Sequence, residues 1–115
     1  MAPRILVIED SAAVRGLIVV ILERAGYGVA APADHERALA AVDDLSSISL
    51  VICDLHLAGQ SGIAACERLR AVQPGLKILY ISGQSVPPPL SAETGFLLKP
   101  FKPEELLARV RDLAG

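Results

Sequence analysis

Four things are scarce or missing in these 115 residues: cysteine, long hydrophobic runs, a surplus of positive charge, and a glycine-rich loop after the first apolar segment. The two cysteines, Cys53 and Cys66, lie in apolar segments without metal-type spacing. That argues against a disulfide framework and suits reduced, packed thiols. The longest apolar stretch, Gly16 to Leu22, is far short of the ~20 residues a membrane span needs, and the start of the chain shows no cleavage-site pattern. The expectation is a cytoplasmic chain with no membrane partner. Eleven Lys and Arg are scattered over a chain of net charge −2, so no basic stripe offers direct nucleic-acid binding. Without a glycine-rich loop after the first strand, a nucleotide-binding fold is disfavoured too.

What is present is an apolar, evenly mixed composition, 52% hydrophobic and 21% charged. At this length one core can form without disulfides or structural metal, so residues 1–115 are expected to make a single domain. Two kinds of segment alternate along it. Short, solidly apolar runs at 4–8, 28–31, 49–53, 77–81 and 95–98 read as parallel strands covered on both faces.

Between them, apolar residues recur with helical period, as in Val14, Leu17, Ile18, Ile21, Leu22 and Ala25. Asp34 and Ser61 are suited to cap a second and a third helix, the second carrying Ala38, Leu39 and Val42. Pro103, Glu104 and Glu105 suit the first turn of the last. Alternating strand and helix implies a doubly wound α/β sheet. One segment breaks the rhythm: Pro87, Pro88 and Pro89 remove backbone donors and bias their predecessors to extended conformations. Segment 83–94 is therefore expected to be irregular and mobile, with the fourth helix missing or irregular.

In open parallel sheets, ligands bind at the carboxyl ends of the strands. Here those ends carry Glu9 and Asp10, Asp54, Ser82, and Lys99. Singly, each suits an ordinary turn or helix start. Together they put three carboxylates, a hydroxyl and an ammonium at one edge. Clustered carboxylates repel, and a shared hard divalent cation relieves that, magnesium being the natural candidate. An aspartate can accept a phosphoryl group, and Lys99 with Ser82 could hold its oxygens.

The stretches Ile5-Leu6-Val7-Ile8-Glu9-Asp10-Ser11, Asp54 to Gly62, Ile81-Ser82-Gly83 and Phe96-Leu97-Leu98-Lys99-Pro100-Phe101 resemble, in order, the motifs of response-regulator receiver domains. The resemblance implies a flavodoxin-like five-stranded parallel sheet of order 2-1-3-4-5. It also implies a module of two-component phosphorelay signalling, not a substrate-turning enzyme, whose partner is a histidine kinase or histidine phosphotransfer protein. Asp54 becomes the phosphoacceptor, and Asp10 and Glu9 the acidic pocket, with Asp10 the more direct Mg2+ ligand. His56 adds its backbone carbonyl to the metal. Ser82 is the hydroxyl switch and Lys99 the phosphoryl partner. Pro100 is expected after a cis peptide. Phe96 takes the aromatic switch position, although an aromatic in a short strand equally suits the core. The side chains of His56 and Gln84 are placed to affect phosphoryl lifetime. The output partner is not specified by these motifs, and Ala58, Gln60 and the proline segment depart from the usual pattern.

Two other classes stay open. A dehalogenase-type aspartyl-phosphate phosphohydrolase needs a second acid two residues after the nucleophile, where this chain has His56. A phosphorylation-independent docking domain would keep the fold and ignore the site.

Overall fold

The computed structural model describes residues 4–41, 47–84 and 88–114, apart from the side chains of Leu39 and Ala41. Val42, the Leu39 side chain and Pro87 among the sequence-based expectations lie outside the described residues. In chain order the elements are β1 (Arg4–Ile8), α1 (Ala12–Arg24), β2 (Gly28–Ala30), α2 (His35–Ala41) and β3 (Leu50–Asp54). They continue with β4 (His56–Leu57), β5 (Gln60–Ser61), α3 (Gly62–Val72), β6 (Ile78–Ser82), β7 (Thr94–Leu98) and α4 (Pro103–Ala114).

Five strands form one parallel sheet in the order β2-β1-β3-β6-β7. With the short β4 and β5 set aside, this is the expected 2-1-3-4-5 order. The apolar strands alternate between two cores, as the two-residue period of a strand dictates. Leu6, Ile8, Val51 and Cys53 face a cluster with Ala38 of α2 and Ala65, Cys66 and Leu69 of α3. Ile5, Val7, Leu50 and Ile52 face the other, with Ile18 and Leu22 of α1 and Leu106 and Val110 of α4. Burial on both faces explains why the central strands are apolar throughout rather than alternating.

The expected helix starts are in place. The Asp34 carboxylate accepts the Arg37 amide at 2.8 Å, and the Ser61 hydroxyl accepts the Ile63 amide at 3.1 Å. These are N-cap bonds that satisfy otherwise orphaned donors.

Two features were not legible beforehand. β4 and β5 pair antiparallel as a small hairpin immediately after Asp54. Its turn runs through Ala58 and Gly59, and Gly59 has φ 78°, a left-handed conformation that favours glycine. The second is how the proline segment is held. Among the described residues from Gly83 to Glu93 there is no helix, only a turn closed by a bridge between Ser91 and Thr94. Thr94 itself is already in β7 and buried, so the irregular segment ends one residue earlier than the sequence suggested. Arg70 of α3 ties this segment down: Nη2 donates to the Glu93 carbonyl at 2.9 Å and to Thr94 Oγ1 at 2.8 Å, and Nε donates to the Leu76 carbonyl at 3.0 Å. Pro88, Pro89, Tyr80 and Arg70 together line a hollow of about 180 Å³ on the α3 side of the sheet.

Candidate functional site

The strands deliver the expected side chains to one edge of the sheet. Glu9 follows β1, Asp54 ends β3, Ser82 ends β6 and Lys99 follows β7. Lys99 joins two of these ends: its Nζ donates to Asp54 Oδ2 at 2.6 Å and to Glu9 Oε1 at 2.7 Å. Glu9 and Asp54 are 3% and 7% exposed, a depth at which an uncompensated carboxylate would be costly. Burial by itself would lower the affinity of Lys99 for its proton. The hydrogen bonds from Asp54 and Glu9 and their negative charges outweigh it and hold the ammonium above the usual lysine range.

The other carboxylate oxygens are also engaged. Asp54 Oδ1 accepts the His56 amide at 2.9 Å, and Glu9 Oε2 accepts the Ser11 amide at 3.2 Å. Asp10 is oriented differently. Its Oδ2 accepts the Ala58 amide at 2.7 Å, and its Oδ1 accepts the His35 amide at 3.1 Å, with His35 Nδ1 3.2 Å from both oxygens. Burial would raise the Asp10 pKa, but the Ala58 amide and the His35 ring and amide hold the carboxyl below its ordinary value. The repulsion expected among clustered acids is therefore offset by donors at each of them.

Ser82 is fully buried. Its hydroxyl accepts the Gln84 amide at 3.0 Å, and its carbonyl accepts the Lys99 amide at 2.7 Å, which fixes the start of the Lys99 segment against β6. The Lys99–Pro100 peptide is cis. The side chains of His56 and Gln84 are exposed, each two residues beyond Asp54 or Ser82. Phe96 is half-buried and packs on the α2/α3 core, while its strand partner is Tyr80. Beside Lys99, Val14, Leu17, Pro100 and Phe101 line a largely apolar hollow of about 360 Å³, and Leu17 is exposed.

Packing around Asp54 is tight on its hairpin side. Gly62 opens α3 and donates its amide to the Leu55 carbonyl at 2.8 Å. A Cβ there would collide with the Asp54 carbonyl oxygen. Glycine at this position is what lets α3 start against the acceptor strand.

Two residues absent from the sequence-based site belong to its surroundings: His35 and Arg15. Arg15 Nη1 donates to the Glu9 carbonyl at 2.9 Å and to the Ala33 carbonyl at 2.7 Å, tying the end of β1 to the loop before α2. The loop after β2 ends at the same sheet edge as the others, and inspecting it alongside them would have brought out His35.

The donor set suits a divalent cation in kind. Two carboxylates share Lys99 and a third, Asp10, follows Glu9 at the same edge; all their donor atoms are hard oxygens, and magnesium needs only a few protein oxygens because it keeps several waters. Among the described residues, no three His, Cys, Asp or Glu side chains are grouped to enclose a metal. Lys99 bridges Glu9 and Asp54, and Asp10 is bonded to His35 and Ala58.

A parallel five-stranded sheet with helices on both faces and acids at its carboxyl edge is a flavodoxin-like arrangement. Comparison with known proteins narrows this. Residues 5–111 match the model of the response regulator receiver domain, and the chain belongs to that family. It is 39% identical over 116 residues to the DNA-binding response regulator MtrA of Mycolicibacterium paratuberculosis, covering 96% of this chain and 51% of MtrA. The chain thus spans about half the length of the curated relatives it matches.

Among solved structures, chemotaxis protein CheY4 of Vibrio cholerae superposes with a TM-score of 0.86 at 25% identity, over 98% of this chain and 99% of that one. Response regulator TrrA of Thermotoga maritima is 27% identical in two structures. One is a complex of TrrA with Mg2+-BeF, at TM-score 0.79 over 96% and 98% of the chains. The other is its complex with histidine kinase ThkA, at 0.82 over 98% and 99%. No helix among the described residues is long and apolar enough to cross a membrane.

Proposed function

We propose that this chain is the phosphoacceptor unit of a cytoplasmic two-component phosphorelay, taking a phosphoryl group from a phosphohistidine onto Asp54 and changing conformation in response. The observation that carries this reading is the pair of hydrogen bonds that Lys99 donates to Asp54 and Glu9 at the strand ends. A carboxylate nucleophile needs a cation within reach of the oxygens of the incoming group, and Lys99 is already in place.

In the transfer the N–P bond of the donor breaks and an O–P bond to Asp54 forms; the electron pair of the broken bond stays on the donor ring, which leaves as neutral imidazole because its other nitrogen carries a proton. The Asp54 carboxylate attacks in line, oriented by the His56 amide on Oδ1. Lys99 exchanges its bond to Asp54 Oδ2 for one to a phosphoryl oxygen. Asp10 and Asp54, the His56 carbonyl and, more remotely, Glu9 would hold Mg2+. When bound, the cation neutralises negative charge on the phosphoryl oxygens. The complex of TrrA with Mg2+-BeF supports this assignment for a related chain.

The Ser82 hydroxyl, held by the Gln84 amide, would turn to the phosphoryl group, and the half-buried Phe96 would move further in. These differential contacts are what can shift a population between two states. The kinase or phosphotransfer protein would dock over the apolar hollow of Val14, Leu17, Pro100 and Phe101, which opens beside Lys99. The ThkA complex of TrrA supports a histidine kinase as that partner. The chain catalyses only its own loading and unloading, and its net charge of −2 supports no direct contact with nucleic acid.

The test is incubation with an acyl phosphate and Mg2+, followed by intact-mass and peptide mass spectrometry. A single phosphoryl adduct on Asp54, absent from a folded Asp54→Asn variant, is expected. Labelling of that variant to the same extent at another residue would refute the assignment.

A further inference from the structure

Asp10 meets more donors than the other two acids, and most of them come from one residue. The His35 residue is 6% exposed at the first turn of α2, directly after the Asp34 cap. An ionised carboxylate only accepts hydrogen bonds, so the ring nitrogen facing it, Nδ1, carries the hydrogen. Oδ1 of Asp10 receives the His35 amide at 3.1 Å, and Nδ1 stands 3.2 Å from both carboxylate oxygens, so its one hydrogen is shared between them. Oδ2 receives the Ala58 amide at 2.7 Å. His35 therefore holds the carboxylate from the α2 side by both its amide and its ring. Oδ2 is the oxygen turned to the hairpin that follows Asp54.

We propose that His35 is a positioning residue for the divalent cation, fixing the rotamer of Asp10 so that Oδ2 is presented toward the Asp54 segment. The proposal rests on the reading of Asp10 as a cation ligand and adds a residue to it. Partners of this kind, bonded to a ligating group but not to the metal, orient the ligand, and their loss typically weakens metal binding by about 10- to 100-fold. The backbone amide of His35 stays whatever the side chain, so removing the ring leaves Asp10 with one bond on that side and freer to rotate.

The experiment is calorimetric titration of Mg2+ into the 115-residue chain and three variants, with folding checked by circular dichroism. His35→Phe keeps the ring volume without a donor, and His35→Ala removes both. His35→Asn restores a nitrogen branching from Cγ as Nδ1 does. Mg2+ affinity about 10-fold weaker in the Phe and Ala variants and within about 2-fold of wild type in the Asn variant is expected. A structural role alone would lower thermal stability in proportion across the variants with no selective rescue by Asn, and that pattern would overturn the proposal. So would equal Mg2+ affinity in all four proteins. A folded wild-type chain that binds no Mg2+ would instead overturn the reading of the acidic pocket, and the role of His35 with it.

Discussion

The Lys99 ammonium stands 2.6 Å from Oδ2 of Asp54 and 2.7 Å from Oε1 of Glu9, so one cation joins the ends of β1 and β3 from the far side of β6. In the unphosphorylated chain it is the counter-charge for two buried acids.

Replacing that lysine should therefore separate stability from cation binding. Lys99→Met leaves Glu9 and Asp54 facing each other without a positive charge, and a loss of about 1–3 kcal/mol in stability is expected. Mg2+ should then raise the melting temperature more in the variant than in wild type, because it replaces the missing charge. Scanning calorimetry with and without Mg2+ measures both, and an unaltered apo stability would show that the two bonds contribute nothing.

Gly62 offers a test of the packing behind the acceptor. Gly62→Ala forces a methyl group against the Asp54 carbonyl, so α3 or the hairpin must move. A cost of about 2–4 kcal/mol is expected, with slower phosphoryl loading. Gly75→Ala, where a Cβ meets nothing within 4 Å, is the matched control. Equal chemical-denaturation midpoints for the two variants would contradict this.

Phosphoryl lifetime should respond to His56 and Gln84. Their amides are committed to Asp54 Oδ1 and Ser82 Oγ, but their side chains are exposed and free to vary without breaking those bonds. Exchanging the two residues should alter the decay rate of the phosphoaspartate several-fold and leave loading within about 2-fold, since water access differs while the attacking oxygen does not. Decay followed by mass spectrometry at the wild-type rate would remove them from this role.

Arg70 should govern the order of the segment before β7. It donates three hydrogen bonds, two of them to Glu93 and Thr94. Arg70→Met preserves the aliphatic stem and removes the donors, with an expected loss of about 1–3 kcal/mol. Amide hydrogen exchange should quicken at Glu93 and Thr94 before it does in β6. Uniform exchange across both would mean that the anchor lies elsewhere.

The thiols should be inert in the folded chain. Cys53 is fully buried, and its pKa is raised first by its bond with Cys66 and then by burial. Thiolate is the reactive form, so an alkylating reagent in excess at neutral pH should modify neither cysteine until denaturant unfolds the chain. Rapid native labelling at Cys53 would show an opening beside Asp54.

Much of this molecule could be read from the sequence because the signals were local. Solid apolar runs gave the five strands, Asp34 and Ser61 marked helix starts, and the prolines pointed to the lack of a helix among the described residues before β7. The side chains at the strand ends could be placed because sheet order puts those ends on one edge. Pairings between loops could not be read in that way. The bond from Ala58 to Asp10 joins residues far apart in sequence, and so does that from His35 to Asp10. Neither has a periodicity to reveal it. The β4–β5 hairpin escaped notice because each of its strands has only two residues.

The proline segment also sets a tether length. Parallel neighbours require the chain to travel back along the sheet, and β6, with five residues, measures about 16 Å from end to end. Eleven residues, 83–93, separate β6 from β7, near the lower limit for a crossover between parallel strands. A connection this short has little contour length to spare. Shortening this one would pull on Ser82 at one end and on Thr94 at the other, so length changes here would be felt at the site as tension in the backbone.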